Sequence, residues 1–258
     1  MNENQKYFPF AVSLELHPPL HLKTAAVELT LVEGEALEEY ADMVECLCDL
    51  SGLGAFAETE LTLKESRANL NKSKASNSRT WTATINFAHV HAGFYRLFLQ
   101  MLAQCHHFLE AVAGLKVVEL GQPFEQRTGL AVENVANLAY GKRIERLPFV
   151  LVETESSVTE INAARLKFPR PISEKEYETI RKALEDWASL VYTGGFASPF
   201  RSLDTHQLLR VEVAKIHHSL VECAVSGWNA DAAAIDFLIN LCCGLHANVL
   251  SMEELEIE

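Results

Sequence analysis

The chain has 258 residues, 48% of them hydrophobic, and a formal net charge of −13. That length and apolar content suffice for one large or two medium domains with a buried core. The acidic balance argues against general binding to nucleic-acid phosphates or to anionic membranes, and it permits a basic protein partner or serves solubility alone.

Residues 9–16 alternate, with Phe10, Val12, Leu14 and Leu16 on one face, which predicts a strand ended by Pro18 and Pro19. Ala25–Val32 predicts a second strand with Val27, Leu29 and Leu31 inward and Glu28 and Thr30 outward. From about Glu35, the apolar residues Tyr40, Met43, Val44, Leu47 and Leu50 recur at helical spacing until Gly52 and Gly54. A third strand is expected over Thr59–Glu65, followed by a mobile Asn-, Ser- and Lys-rich loop from Ser66 to Ser78. Arg79–Val90 then alternates, placing Trp81, Ala83, Ile85 and Phe87 on one face and Thr80, Thr82, Thr84 and Asn86 on the other. A long helix is expected over Ala92–Ala113, broken by Gly114, with a fifth strand over Leu115–Leu120.

Residues 122–146 read as a connecting segment with a short helix within Leu130–Tyr140 and a small basic cluster, Lys142, Arg143 and Arg146. Beyond it, strands are expected over Phe149–Glu155 and Ala163–Phe168. A helix follows, capped by Ser173 with Glu176 three residues on, a capping box. Leu209–Lys215 and Ser219–Val225 predict a hairpin turning near His217 and His218, in preference to one long strand. Asn229 caps a helix over Ala230–His246, and Val249–Ile257 closes as the last strand.

The chain states one stretch twice. Ala26–Leu53 slides onto Ala163–Leu190 without a gap, matching Leu29 with Leu166, Tyr40 with Tyr177, Leu47 with Leu184 and Asp49 with Asp186. After an extra N-terminal strand, each half runs strand, helix, strand, strand, helix, strand, the split βαβ order. The pattern resembles tandem ferredoxin-like proteins. It predicts an α+β chain of two such units, residues 1–121 and 147–258, with antiparallel sheets, helices on one face and a polar open face.

Ten histidines invite a metal reading. His17 and His21 have helical chelate spacing, but Pro18 and Pro19 forbid the helix. His89 and His91 share a face if the strand continues, yet no third ligand stands near them in sequence. His106 and His107 point apart on a helix, and His217 and His218 form a turn. No metal and no cofactor are expected. Asp204 and His206 with Ser198, Ser202 or Ser219 lack a G-x-S-x-G elbow, and neither a G-x-G-x-x-G nor a P-loop motif occurs. Lys64, Arg67, Lys72, Lys74 and Arg79 concentrate basic charge. An RNA-binding sheet would need aromatics on its open face, where threonines stand.

The six cysteines, Cys46, Cys48, Cys105, Cys223, Cys242 and Cys243, make no C-x-x-C pair and read as free thiols of a reducing cytosol. Asp236 and Asn240 interrupt the longest apolar run, below the roughly 18 residues of a membrane span. Residues 1–6 carry no basic start before an apolar core, so no signal peptide is expected. The expectation is therefore a cytoplasmic, non-catalytic protein-binding chain of inhibitor, immunity or adaptor type. It would contact a protein partner, a basic one for preference, through Glu28, Thr30, Thr82 and Thr84. The competing expectation is a small-molecule enzyme or sensor whose cleft is lined by His89 and His91; a nucleic-acid binder acting through the basic loop ranks last.

Overall fold

Strand alternation and helical stripes turn into buried faces across the chain. The computed structural model describes residues 8–15, 20–32, 37–109, 111–121, 131–138, 143–154, 161–196, 210–228 and 230–258. The first part contains β1 (Ala11–Glu15), β2 (Lys23–Leu31), α1 (Leu37–Gly52), β3 (Arg67–Asn77), β4 (Thr80–Ala88), α2 (Gly93–Leu109) and β5 (Val112–Glu119). After α3 (Val132–Ala136) come β6 (Val150–Glu153), β7 (Ala163–Lys167), α4 (Glu174–Tyr192), β8 (Arg210–His217), β9 (Leu220–Ser226), α5 (Ala233–Asn248) and β10 (Glu254–Ile257). The chain is thus α+β, with two five-stranded sheets ordered β1-β5-β2-β4-β3 and β6-β10-β7-β9-β8.

The sheets are mixed and depart from the antiparallel expectation at one strand each. β1 runs parallel to β5, and β6 runs parallel to β10, while all other pairs are antiparallel. β5 lies between β1 and β2 in the first sheet, so the leading strand joins beyond it at the edge.

Inward positions match the alternation. Val27, Leu29, Trp81, Ile85, Leu166, Val221 and Cys223 are all buried. On α1 and α4 the buried stripe is narrow and the opposite face is charged, the pattern of helices covered on one side. On α2 and α5 it is not: residues 93–102 and 237–245 are buried without interruption. A helix apolar all round must be covered all round. Part of that cover crosses between the two sheets' helices. The Phe56 ring lies 5.4 Å from Phe94 and 5.0 Å from Phe237, and Phe196 lies 5.4 Å from Phe237. Lys182 Nζ reaches Asp49 Oδ2 at 2.6 Å, and Asn248 Nδ2 donates to the carbonyls of Leu53 and Leu63. One hydrophobic core results, drawing residues from both sheets.

The segment after α1 overturns two expectations. Thr59–Glu65 is not a strand: it holds a single 3₁₀ turn, Glu60–Thr62, with Leu61 84% exposed. The expected mobile loop, Ser66–Ser78, is instead strand β3, hydrogen-bonded to β4. β3 is an edge strand, bulged between Leu70 and Lys72 and again between Ala75 and Asn77. Bulges break a period of two, and lysine with asparagine is how an edge is kept from pairing further. Gly114, expected to separate helix from strand, lies inside β5 with its α-carbon side close to the Ala11 carbonyl. The hairpin of β8 and β9 forms as expected. Asn229 lies outside the described residues, and α5 starts at Ala233, whose N–H is accepted by the Asp231 side chain at 3.0 Å.

The capping box on α4 forms. The Glu176 N–H donates to Ser173 Oγ, and Glu176 Oε2 accepts the Ser173 N–H at 2.9 Å. A bidentate Arg170 also grips this carboxylate, and together with the Ser173 bonds it lowers the Glu176 pKa to about 2. An unfolded glutamate titrates near 4.3. A carboxylate depressed in the folded state contributes stability above the unfolded pKa and loses it as pH falls through the folded one. The gap in melting temperature between wild type and Glu176→Gln should therefore be widest at neutral pH and close between about pH 4 and about pH 2. A gap that stays constant over that range would show that the charge is idle.

Candidate functional site

Each sheet buries one face against helices and leaves the other open, and pairing register decides which side chains meet there. In the first sheet one row crosses all five strands: Ser13, Lys116, Glu28, Thr82 and Lys74 are successive cross-strand partners. Neighbours in such a row stand about 4.8 Å apart. Glu28 is exposed, and Thr82 and Thr84 are half-buried. These three line a depression of about 650 Å³ together with Asn71, Lys74 and Lys116.

Of the four residues expected to bind, the structure therefore gathers Glu28, Thr82 and Thr84. Thr30 lies on the same face, paired with Thr80 and Gly114, and does not line the depression. Lys116 escaped the sequence reading. Its place on the open side of β5 could be read from the inward Leu115 and Val117, but its adjacency to Glu28 depends on the pairing of β5 with β2. Neither Lys74 nor Lys116 forms an ion pair among the described residues, so their charges are offered to solvent.

The corresponding row of the second sheet is Val152, Glu256, Arg165, Glu222 and Ala214. Arg165 Nε donates to Glu222 at 2.6 Å, and Nη1 donates to Glu258 at 2.9 Å and to Glu256 at 3.3 Å. Hydrogen bonds to Glu222 and Glu258 raise the guanidinium's already high pKa. Three carboxylates around one cation leave this patch acidic, and partial exposure keeps each pair's contribution to stability small. The central residues of the two rows thus carry opposite charges, Glu28 in one sheet and Arg165 in the other. Their β5 and β10 neighbours, Lys116 and Glu256, are opposite as well.

The histidines expected to line a cleft are separated. β4 ends at Ala88, and His89 takes a positive φ of 49°, which turns the chain. His89 then lies 3.2 Å from Glu65 and 3.9 Å, ring to ring, from His21. His91 Nδ1 instead accepts the Gly93 N–H at 3.0 Å at the start of α2, and burial lowers its pKa. The two no longer share a strand face. Among the described residues no group of three His, Cys, Asp or Glu is placed to hold a metal ion. His17, Asp204, His206, Ser198 and Ser202 lie outside the described residues, as do the side chains of His106, His107, Lys72 and Cys105. The His217 and His218 rings lie 3.8 Å apart, tilted by 49°, where β8 turns into β9.

Cys46, Cys48, Cys223, Cys242 and Cys243 are free. Burial pushes Cys48, Cys223 and Cys243 up to about 12 and raises Cys46 and Cys242 as well. Such thiols stay protonated at neutral pH, which makes them poor nucleophiles and poor metal ligands. Among the described residues no helix is long and apolar enough to cross a membrane. In comparison with known proteins, the chain matches no family model and no curated sequence.

Proposed function

We propose that the chain is a tandem duplication of ferredoxin-like units serving as a cytoplasmic, non-catalytic protein-binding protein of inhibitor, immunity or adaptor type. The duplication is supported by the common element order, by the common strand order and by the in-phase match of residues 26–53 with 163–190. The binding reading is carried by one observation: both sheets leave a charged, polar face open. Glu28, Thr30, Thr82 and Thr84 furnish the first face, and the carboxylates around Arg165 furnish an acidic surface for a basic partner. Opposite charge speeds encounter and confers selectivity, at the cost of sensitivity to salt.

The test is retention of protein from native lysate at low and high salt, on wild type and on two charge-reversed forms, Glu28→Lys with Thr82→Lys and Glu222→Lys with Glu256→Lys. The expected result is a salt-sensitive protein partner lost from at least one variant. Retention of a small ligand with no protein recovered would overturn the reading.

A further inference from the structure

The two open faces differ in sign where they coincide in position. Along the row through β5, β2 and β4 the first sheet presents Lys116, Glu28 and Thr82, with Lys74 one strand beyond. Along β10, β7 and β9 the second presents Glu256, Arg165 and Glu222. In a chain of net charge −13, a row where two lysines without ion pairs among the described residues flank one glutamate is a positive island. The surface that complements it is carried by the same chain.

From these two rows we propose that the first sheet's open face docks on the second sheet's open face of another copy. The inference rests on the reading of these faces as protein-binding surfaces, and it names the occupant. In the aligned class of face-to-face packing, two sheets keep their strands within about 30° of each other. Aligned strands set Glu28 over Arg165 with Lys116 beside a carboxylate. The second row is symmetrical about Arg165, so Lys116 falls on Glu256 in one direction of docking and on Glu222 in the other. Val152 at the β6 end of the row and Val150 beside it, both exposed on this edge strand, add apolar area.

Like charge on whole molecules opposes this contact. At physiological salt the Debye length of about 8 Å screens that longer-range repulsion, while side chains in contact are screened less. At about 1 M salt, where the length is about 3 Å, the pairs themselves weaken. The contact joins two different surfaces, so a copy docked through one face still offers the other, and growth continues past a pair unless a ring closes.

The test is sedimentation over a concentration series of wild type and two neutralised forms, Lys74→Ser with Lys116→Ser, and Glu222→Gln with Glu256→Gln. Wild type is expected to grow beyond the single-chain mass with concentration and to return to it at about 1 M salt. Each variant alone should stay a monomer. Mixed in equal amounts, the two retain one intact face of each kind and should stop at one-to-one pairs. The lysine variant removes only exposed side chains without ion pairs among the described residues, so its circular dichroism should match wild type whatever the carboxylate variant does. Wild type that stays monomeric throughout, or variants that associate like wild type, would overturn the proposal. If wild type is monomeric yet a basic protein binds it and is lost on Glu222→Lys with Glu256→Lys, self-docking fails while the protein-binding reading stands.

Discussion

Gly244→Ala should destabilise the protein by about 3 kcal/mol or more, toward the upper range of overpacking. Gly244 sits inside α5, where it meets the chain leaving α1. A methyl group there would overlap the Leu53 carbonyl oxygen and press on the Gly54 α-carbon. Both obstacles are backbone, so no rotamer change relieves them. Gly54 cannot yield either: its φ is +89°, and its own missing side chain faces the Leu63 carbonyl. The same crossing carries the Asn248 amide bonds to Leu53 and Leu63. Forcing the helix outward would therefore break contacts that tie the two sheets' helices together. Gly52, which has no neighbour within 4 Å of an added methyl, is the control. Gly52→Ala should stay within about 1 kcal/mol of wild type. Denaturant melts of the two variants side by side would refute the close-approach argument if Gly244→Ala unfolds at the wild-type midpoint.

Truncating Leu47 or Leu184 to alanine should each cost roughly 2 to 5 kcal/mol. Both are fully buried at matching places on α1 and α4, and both belong to the common core. The cost has two parts, lost transfer of the side chain from water and an unfilled cavity, and the second depends on how far neighbours can collapse. Around Leu184 collapse is opposed by Trp187, whose Nε1 is held by the Ala234 carbonyl at 3.0 Å. Because total stabilities of such chains lie near 5 to 15 kcal/mol, either change should be plain in urea unfolding. A loss near zero at either position would mean that its helix does not present this face to the core.

The face of the first sheet was legible residue by residue but not as a surface. Glu28 and Thr82 follow from alternation on their own strands, which is local. That Lys116 and Lys74 stand in line with them follows from pairing between strands far apart in sequence, which no periodicity carries. His89 and His91 show the reverse. Their spacing promised a common face, but the strand ends at Ala88 and the left-handed turn at His89 leaves neither histidine in it.

By itself the amino-acid sequence determined the inward faces of β2, β4 and β7, the stripes of α1 and α4, the α4 capping box and the β8–β9 hairpin. Each rests on interactions among near neighbours, or on a single buried side that prints a period of two or 3.6. Only the tertiary structure decided that Arg67–Asn77 is a strand, since its order comes from hydrogen bonds to β4, and of its described side chains only Ala68 and Leu70 pack on the core. It alone placed β1 and β6 in parallel at the sheet edges, and it alone aligned Lys116 with Glu28 and Glu256 with Arg165. Register between distant strands is set by the packing of the whole sheet, and the charge on an open face adds too little energy to leave its mark on any one strand.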